Sequence, residues 1–259
     1  MSKELTQMGA AKVFLTEYSG VQCIEKRHAS IIEINFYQNV APLLKDFGVR
    51  TPQLIGVRDN DLMIEYIPNP VTLTELNSNP DTFAQLSSLH RALPSISECL
   101  KHHEWSLQQT ENALQLLKLP QTIVEALINI QNQSDVLFKT EVVISGDTNE
   151  GNWGRRSNGE LVLFDWERFG KGSPAIDLAP LVKRMGSLAD FEAIIDNYLK
   201  HNSDISGCEL LRHLIIAKCW IVVEVVNLLQ ARQKEQLQMY LKWYREVLPN
   251  WLGTVEKAL

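Results

Sequence analysis

The sequence lacks a Cys-x-x-Cys pair: its four cysteines, Cys23, Cys99, Cys208 and Cys219, are scattered through 259 residues. That spacing excludes a zinc ribbon or a dithiol redox motif, and reduced thiols in a cytoplasmic protein are the expectation. No long basic run is present and the net charge is −6, so nucleic acid is not the expected main partner. No Gly-x-Ser-x-Gly elbow and no Ser-His-Asp order occurs, which argues against a hydrolase. The opening residues, MSKELTQMG, contain no apolar signal core. The longest apolar run, LLRHLIIAKCWIVVEVVNLL, is interrupted by Arg212, His213, Lys218, Glu224 and Asn227. Placing each such ionisable group at mid-bilayer costs about 2.5–3.5 kcal/mol, so a core helix is expected rather than a membrane span.

What is present changes character along the chain. AKVFLTEY and VQCIEK are β-rich runs split by Ser-Gly, a hairpin signal. In SIIEINFYQNVAPLLKDFG the period becomes helical, with Ile32, Phe36, Val40, Leu43, Leu44 and Phe47 on one stripe. Ser30 followed by Glu33 reads as a capping box at its start. QLIGVRDNDLMIEYI predicts a second hairpin turning at RDND, and PNPVTLTELNSNP reads as a turn-rich linker. From Asp81 onward helical patterns dominate. TFAQLSSLHRAL carries Phe83, Leu86, Leu89 and Leu93 on one face, and LPQTIVEALINIQNQ opens on Pro120. FEAIIDNYLKH, the apolar run around Trp220 and LQMYLKWYREVLPNWL follow. Length and order fit one β-rich lobe, residues 1–68, and one mostly helical lobe, residues 69–259.

One stretch interrupts the helices: VVISGDTNEGNWGRRSNGELVLFDWERFG. Two apolar runs, ending before Asp147 and Asp165, read as strands joined at Asn158–Gly159 into one hairpin. Such a hairpin would bring Asp147 and Asp165 together, with Asn152 returning to them from the loop. Two carboxylates and an amide oxygen are hard ligands, suited to Mg2+ and phosphate oxygens rather than to zinc.

The pattern resembles the aminoglycoside phosphotransferase / choline kinase family, whose loop HGDxxxxN is followed by a strand end xxDxE/G. Here the two segments are SGDTNEGN and FDWE. GSPAIDLAPLV is similar to the family's GDPAxDLA segment and LSSLHRAL to its LAxLH helix, so the resemblance spans nearly the whole chain. It implies a protein kinase-like, two-lobed α+β fold. It also implies transfer of the γ-phosphoryl of ATP, or GTP, to a hydroxyl of a small molecule such as an aminoglycoside, an amino alcohol or a sugar. By resemblance, Asp147 is the catalytic base and Asn152 and Asp165 hold Mg2+. Asp177 supports the loop, and Ser145 stands where the family has histidine. Lys26 at a strand end would hold the phosphates and Glu33 would hold Lys26, unless Glu33 serves Ser30 instead. Backbone groups at Glu65 and Ile67, in LMIEYIPN, would hold the adenine. The glycine-rich loop of kinases is reduced to Gly9 in TQMGAAK. The alternative reading is a weakly active or inactive nucleotide-binding regulatory protein.

Other polar and aromatic residues carry blander expectations. His102 and His103 are expected on a solvated surface and His90 in a structural role. Trp105, Trp220, Trp243 and Trp251 read as core positions, with a cation–π cage the competing use. Glu167 is expected in an extended strand end with Asp165, contacting substrate or solvent.

Overall fold

The structure is a computed structural model that describes residues 3–4, 12–92 and 99–259. Gly9 and Leu93 lie outside the described residues. The chain divides into two compact units, Met1–His102 with Val142–Lys171, and His103–Glu141 with Gly172–Leu259.

The first unit holds every described strand. β1 (Lys3–Glu4), β2 (Lys12–Tyr18), β3 (Val21–Arg27), β4 (Leu54–Arg58) and β5 (Asp61–Glu65) form one antiparallel sheet in the order β1-β2-β3-β5-β4. The β2–β3 turn is Ser19–Gly20, with φ of 52° and 82°. Positive φ at both central residues matches the twist of the flanking strands. β3 sits in the middle of the sheet, so Lys26 lies between Val13 and Leu62.

The stretch after Ser30 forms α1 (Ile31–Asn35) and α2 (Ala41–Asp46), separated by a π-helical turn over Phe36–Val40. One continuous helix was the expectation. Pro42 explains the difference: it has no N–H to donate, and its ring crowds the carbonyl four residues back, so the ladder widens there. Phe36, on that turn, stacks on Trp166 at 4.0 Å and meets Phe169 edge-on at 4.9 Å.

The expected linker is structured. Asn69–Pro70 forms β6, and Thr72 caps α3 (Leu73–Ser78) in a reciprocal capping box with Glu75. The proline-rich composition conceals both: Pro70 is tolerated on a two-residue edge strand, and the capping box is a helix signal inside a polar run. α4 (Pro80–Arg91) follows, with Asn79 as its cap.

The hairpin expected between Val142 and Phe164 is corrected. β7 (Val143–Ile144) pairs with β10 (Gly170–Lys171), whereas β8 (Trp153–Arg155) pairs with β9 (Leu161–Leu163) and with β6. The Asn158–Gly159 turn is present, with Gly159 at φ 90°, but it joins β8 to β9. Glu167 is therefore in a turn rather than in an extended strand.

The second unit is helical: α5 (Leu107–Leu117), α6 (Gln121–Gln131), α7 (Asp135–Phe138), α8 (Pro174–Leu178), α9 (Leu188–Leu199), α10 (Gly207–Ala231) and α11 (Leu237–Val255). By length and composition α10 could cross a membrane. Here it is the core helix of the unit, burying Leu210, Leu214, Ile215, Ile216, Val222, Val223 and Val226. Its polar residues find partners. The Lys218 ammonium donates to the carbonyls of Val182 (2.6 Å) and Arg184 (2.7 Å), and His213 Nδ1 lies 3.0 Å from the Ser173 hydroxyl. Trp105, Trp220 and Trp251 are buried, while Trp243 is half-buried beside Tyr244. His102 is exposed as expected, but His103 is buried edge-on to the Trp220 ring at 6.0 Å. An imidazole's apolar body lets it join an aromatic cluster that sequence spacing does not reveal.

Candidate functional site

Three charged side chains meet in the first unit. β3 carries Lys26 inward, where it is 6% exposed. The Ser30 hydroxyl accepts the Glu33 N–H at 3.1 Å and so starts α1 at the position that aims Glu33 back at β3. The Lys26 ammonium lies 2.7 Å from both Glu33 carboxylate oxygens and 2.6 Å from Asp165 Oδ1. The reciprocal half of the expected capping box is missing because the Glu33 carboxylate goes to Lys26 instead. Asp165 lies two residues beyond the end of β9 and adopts φ 65°, in the left-handed region. For a non-glycine residue that conformation is uncommon and is held by its surroundings.

Burial would lower the Lys26 pKa, but the charges of Glu33 and Asp165 outweigh it and raise it above the ordinary lysine value. Burial drives Glu33 up to about 7 against the pull of Lys26, with Asp165 and Glu167 pushing the same way. Tyr37, one turn along the helix, is 1% exposed, and its hydroxyl has no hydrogen-bond partner among the described residues. Burial, followed by the charges of Glu33, Asp165 and Glu65, raises its pKa.

Asp147 lies in the loop after β7, beyond the fully buried Ser145 and Gly146 at φ 82°. Its Oδ1 accepts from the Asn149 side-chain amide at 2.7 Å and from the Asn149 backbone N–H at 3.4 Å. Asn149 Oδ1 in turn accepts the Gly151 N–H at 2.8 Å. Asn152 closes the loop: its Nδ2 donates to the Asp147 carbonyl at 3.0 Å, and its own backbone carbonyl accepts the Phe164 N–H at 2.9 Å. The loop is thereby tied to the residue before Asp165. Burial raises the Asp147 pKa, opposed by Asn149 and Arg168 and reinforced by the charge of Asp165.

The residues fit a hard divalent cation. The side-chain nitrogen of Asn152 is committed to the Asp147 carbonyl, which sets Oδ1 as the acceptor end of that amide. That oxygen and the partly exposed Asp165 carboxylate are donors of the kind Mg2+ takes, with several positions left for water or phosphate. Among the described residues no group of three or more His, Cys, Asp or Glu gathers as a metal cluster.

Glu65 and Ile67 lie at and just beyond the end of β5. Ile67 lines a cavity of about 320 Å3 with Tyr66, Trp153, Gly154, Phe164 and Glu150. Gly154 is required there: a Cβ would fall 2.8 Å from the Ile67 side chain and 3.1 Å from the Asn69 carbonyl. Asp177 is fully buried in α8, in the second unit. Sequence reasoning passed over Arg168, whose Nε donates to the Gly146 carbonyl at 2.9 Å, and Arg156, which binds Glu65. Neither belongs to a local motif; both act across sequence separations of more than twenty residues.

The chain is similar along nearly its whole length to several solved structures. Choline kinase LicA from Streptococcus pneumoniae matches at 18% identity and TM-score 0.67, covering 98% of this chain and 93% of that one. Macrolide 2′-phosphotransferase type I matches at 13% identity and TM-score 0.68, covering 95% and 90%. APH(2″)-IIia, in its complex with GDP and kanamycin, matches at 13% and 0.68, covering 98% and 93%. No protein-family model matches the chain, and no curated protein matches it in sequence. The fold is the protein kinase-like one, with a β-sheet N-lobe and a helical C-lobe.

Proposed function

We propose that the protein is a small-molecule kinase of the aminoglycoside phosphotransferase / choline kinase family, transferring the γ-phosphoryl of ATP or GTP to a hydroxyl group. The observation that carries this reading is the buried Lys26 held jointly by Glu33 and Asp165. A buried lysine between two carboxylates keeps its charge and its direction, which is what phosphate oxygens require of it. The solved structures support it from a second side: LicA is a choline kinase and the macrolide enzyme a phosphotransferase by name, and APH(2″)-IIia is held with GDP and kanamycin.

In this reading residues 1–68 hold the nucleotide, with the base at the backbone of Glu65 and Ile67. Lys26 binds the phosphates and Glu33 orients Lys26. Asp165 and Asn152 would hold Mg2+, which when bound neutralises charge on the phosphate oxygens. Asp147 orients the acceptor hydroxyl and takes its proton; burial lifts its basicity, which suits that work. Ser145 supports the loop. The acceptor meets residues from 69–259, and the net charge of −6 favours a cationic one. Four unpaired thiols fit a cytoplasmic setting.

Asp147→Asn tests the reading. Nucleotide affinity with magnesium is expected to stay within about threefold, while ADP release against an amino-alcohol, aminosugar and macrolide panel falls by about 10^2–10^4. Full turnover in Asp147→Asn would sink the assignment. A second reading, a nucleotide-binding regulatory protein, draws on Asn149, which already occupies Asp147 Oδ1 with two donors. It predicts that wild type binds nucleotide but phosphorylates nothing in the panel.

A further inference from the structure

Arg156 follows β8 and opens the tight turn to β9: its N–H donates to the Glu160 carbonyl and its carbonyl accepts the Gly159 N–H, both at 2.9 Å. Its side chain leaves the hairpin and reaches the end of β5. Nε and Nη2 lie 2.7 and 2.8 Å from the two oxygens of Glu65, a bidentate pair, and Nη2 also donates to the Thr51 carbonyl at 3.0 Å. The pair is mostly shielded, with Arg156 19% and Glu65 25% exposed. Glu65 is held further by the Gln53 backbone, which donates to its carboxylate at 3.0 Å and accepts its backbone N–H at 2.9 Å. Burial would raise the Glu65 pKa, but Arg156 and Gln53 outweigh it and lower it.

The position of this pair matters more than its strength. Glu65 is the last residue of β5, and the next two, Tyr66 and Ile67, line the 320 Å3 cavity. Arg156 sits on the hairpin whose start follows Asn152 and whose end precedes Asp165 by two residues. The hairpin is also bound to the segment before β4, through Leu163 N–H to the Arg50 carbonyl (3.0 Å) and Arg50 Nε to the Leu161 carbonyl (3.0 Å). Those bonds fix the hairpin's body. Arg156 fixes the β5 end relative to it, and it uses a planar fork that lysine cannot reproduce.

We infer that Arg156 is a positioning residue: by clamping the Glu65 carboxylate it presets the Glu65–Ile67 backbone for the nucleotide base, and so governs base affinity rather than phosphate affinity. This rests on the reading of the cavity as the base site proposed above. Phosphate contacts belong to Lys26, which Arg156 does not touch.

The test measures binding of Mg-ATP, Mg-GTP and inorganic tripolyphosphate with magnesium, by calorimetry, to wild type and to Arg156→Lys, Arg156→Met and Glu65→Gln. Melting of each variant is followed in parallel. Nucleotide dissociation constants should rise about 3- to 30-fold in Arg156→Met, less in Arg156→Lys and Glu65→Gln, which keep part of the hydrogen bonding. Tripolyphosphate binding should stay within about twofold throughout. A purely structural strut would instead lower the melting temperature and weaken nucleotide and tripolyphosphate alike, or neither; either pattern overturns the inference while wild-type binding stands. Wild type that binds none of the three nucleotide or phosphate probes overturns the functional reading, and this inference with it.

Discussion

Two lysines, Lys26 and Lys218, are buried to the same degree, at 6% and 5% exposed, yet the protein treats them in opposite ways. Lys26, in the β-rich unit, lies between two carboxylates and is pushed above its ordinary pKa. Lys218, in the helical unit, meets the carbonyls of Val182 and Arg184, and burial draws it down to about 7. Carbonyl dipoles satisfy an ammonium's protons without neutralising its charge; carboxylates do both. The first environment keeps the ammonium charged, as the proposed phosphate contact requires. The second uses lysine as a strut that ties the segment before α9 to the core helix. A buried lysine is thus informative only together with its partners.

Activity separates the two most sharply. Lys26→Met is expected to cut phosphotransfer by about 10^2–10^3, the effect of removing one preorganised charge from such a site. It also strands Glu33, at a cost of about 3–5 kcal/mol, so the decisive variant is Lys26→Met/Glu33→Gln, which should recover stability without recovering turnover. Lys218→Met should leave nucleotide affinity unchanged within about twofold, because its hydrogen-bond partners are Val182 and Arg184 of its own helical unit. If Lys218→Met abolishes activity in a folded protein, the contrast between site and strut fails.

Stability gives the next effect. Lys218→Met orphans the carbonyl of buried Val182, worth about 1–3 kcal/mol, and the part-buried carbonyl of Arg184, worth less, and relieves the burial of one ammonium. The net expectation is a loss of about 2 kcal/mol, seen as a melting temperature lower by roughly 4–8 °C. An unchanged melting temperature would show that water replaces the lysine at no cost.

How much of this was readable beforehand depends on the reach of each interaction. The β2–β3 and β4–β5 turns, the Ser30 cap and the buried α10 all follow from residues within a few positions of one another. The pairing of β7 with β10 did not, because two-residue strands carry no period and their partner is decided by the fold around them. The resemblance gave Lys26 to the phosphates and Asp165 to Mg2+ but not their direct pairing at 2.6 Å; spacing alone offered a different hairpin. Glu33 could have served Ser30 or Lys26, and the sequence could not choose, since both partners lie within seven residues. Arg156 and Glu65 stand 91 residues apart, with nothing local at either end to join them.

The pH dependence of stability carries the same contrast with opposite signs. Glu33 titrates near 7 when folded, above its ordinary value of 4.5, so the folded state holds the extra proton between those values. Its contribution is full below the lower value and is lost as pH rises to about 7. Lys218 runs the other way: unfolded it stays charged to 10.5, folded it releases its proton near 7, so stability rises with pH across that window. Urea unfolding from about pH 5 to 9.5 should therefore show each limb at about 1–3 kcal/mol. Glu33→Gln should flatten the lower limb only and Lys218→Met the upper only; loss of both limbs in one variant would mean that the two groups are not independent.

Tyr37→Phe is the smallest expected change and bears on how tightly the Lys26 site is satisfied. The Tyr37 hydroxyl is buried among the charges of Glu33, Asp165 and Glu65 with no hydrogen-bond partner among the described residues. If it is unsatisfied, deleting it removes a desolvated polar atom at little packing cost, and stability should rise by up to ~1 kcal/mol. A loss of more than ~1 kcal/mol would show instead that a water joins the hydroxyl to the carboxylates. In that case the charge balance around Lys26 includes a fourth member, and Tyr37→Phe should also move the falling limb assigned to Glu33. No change in that limb, with stability gained, leaves Lys26, Glu33 and Asp165 as a self-contained set.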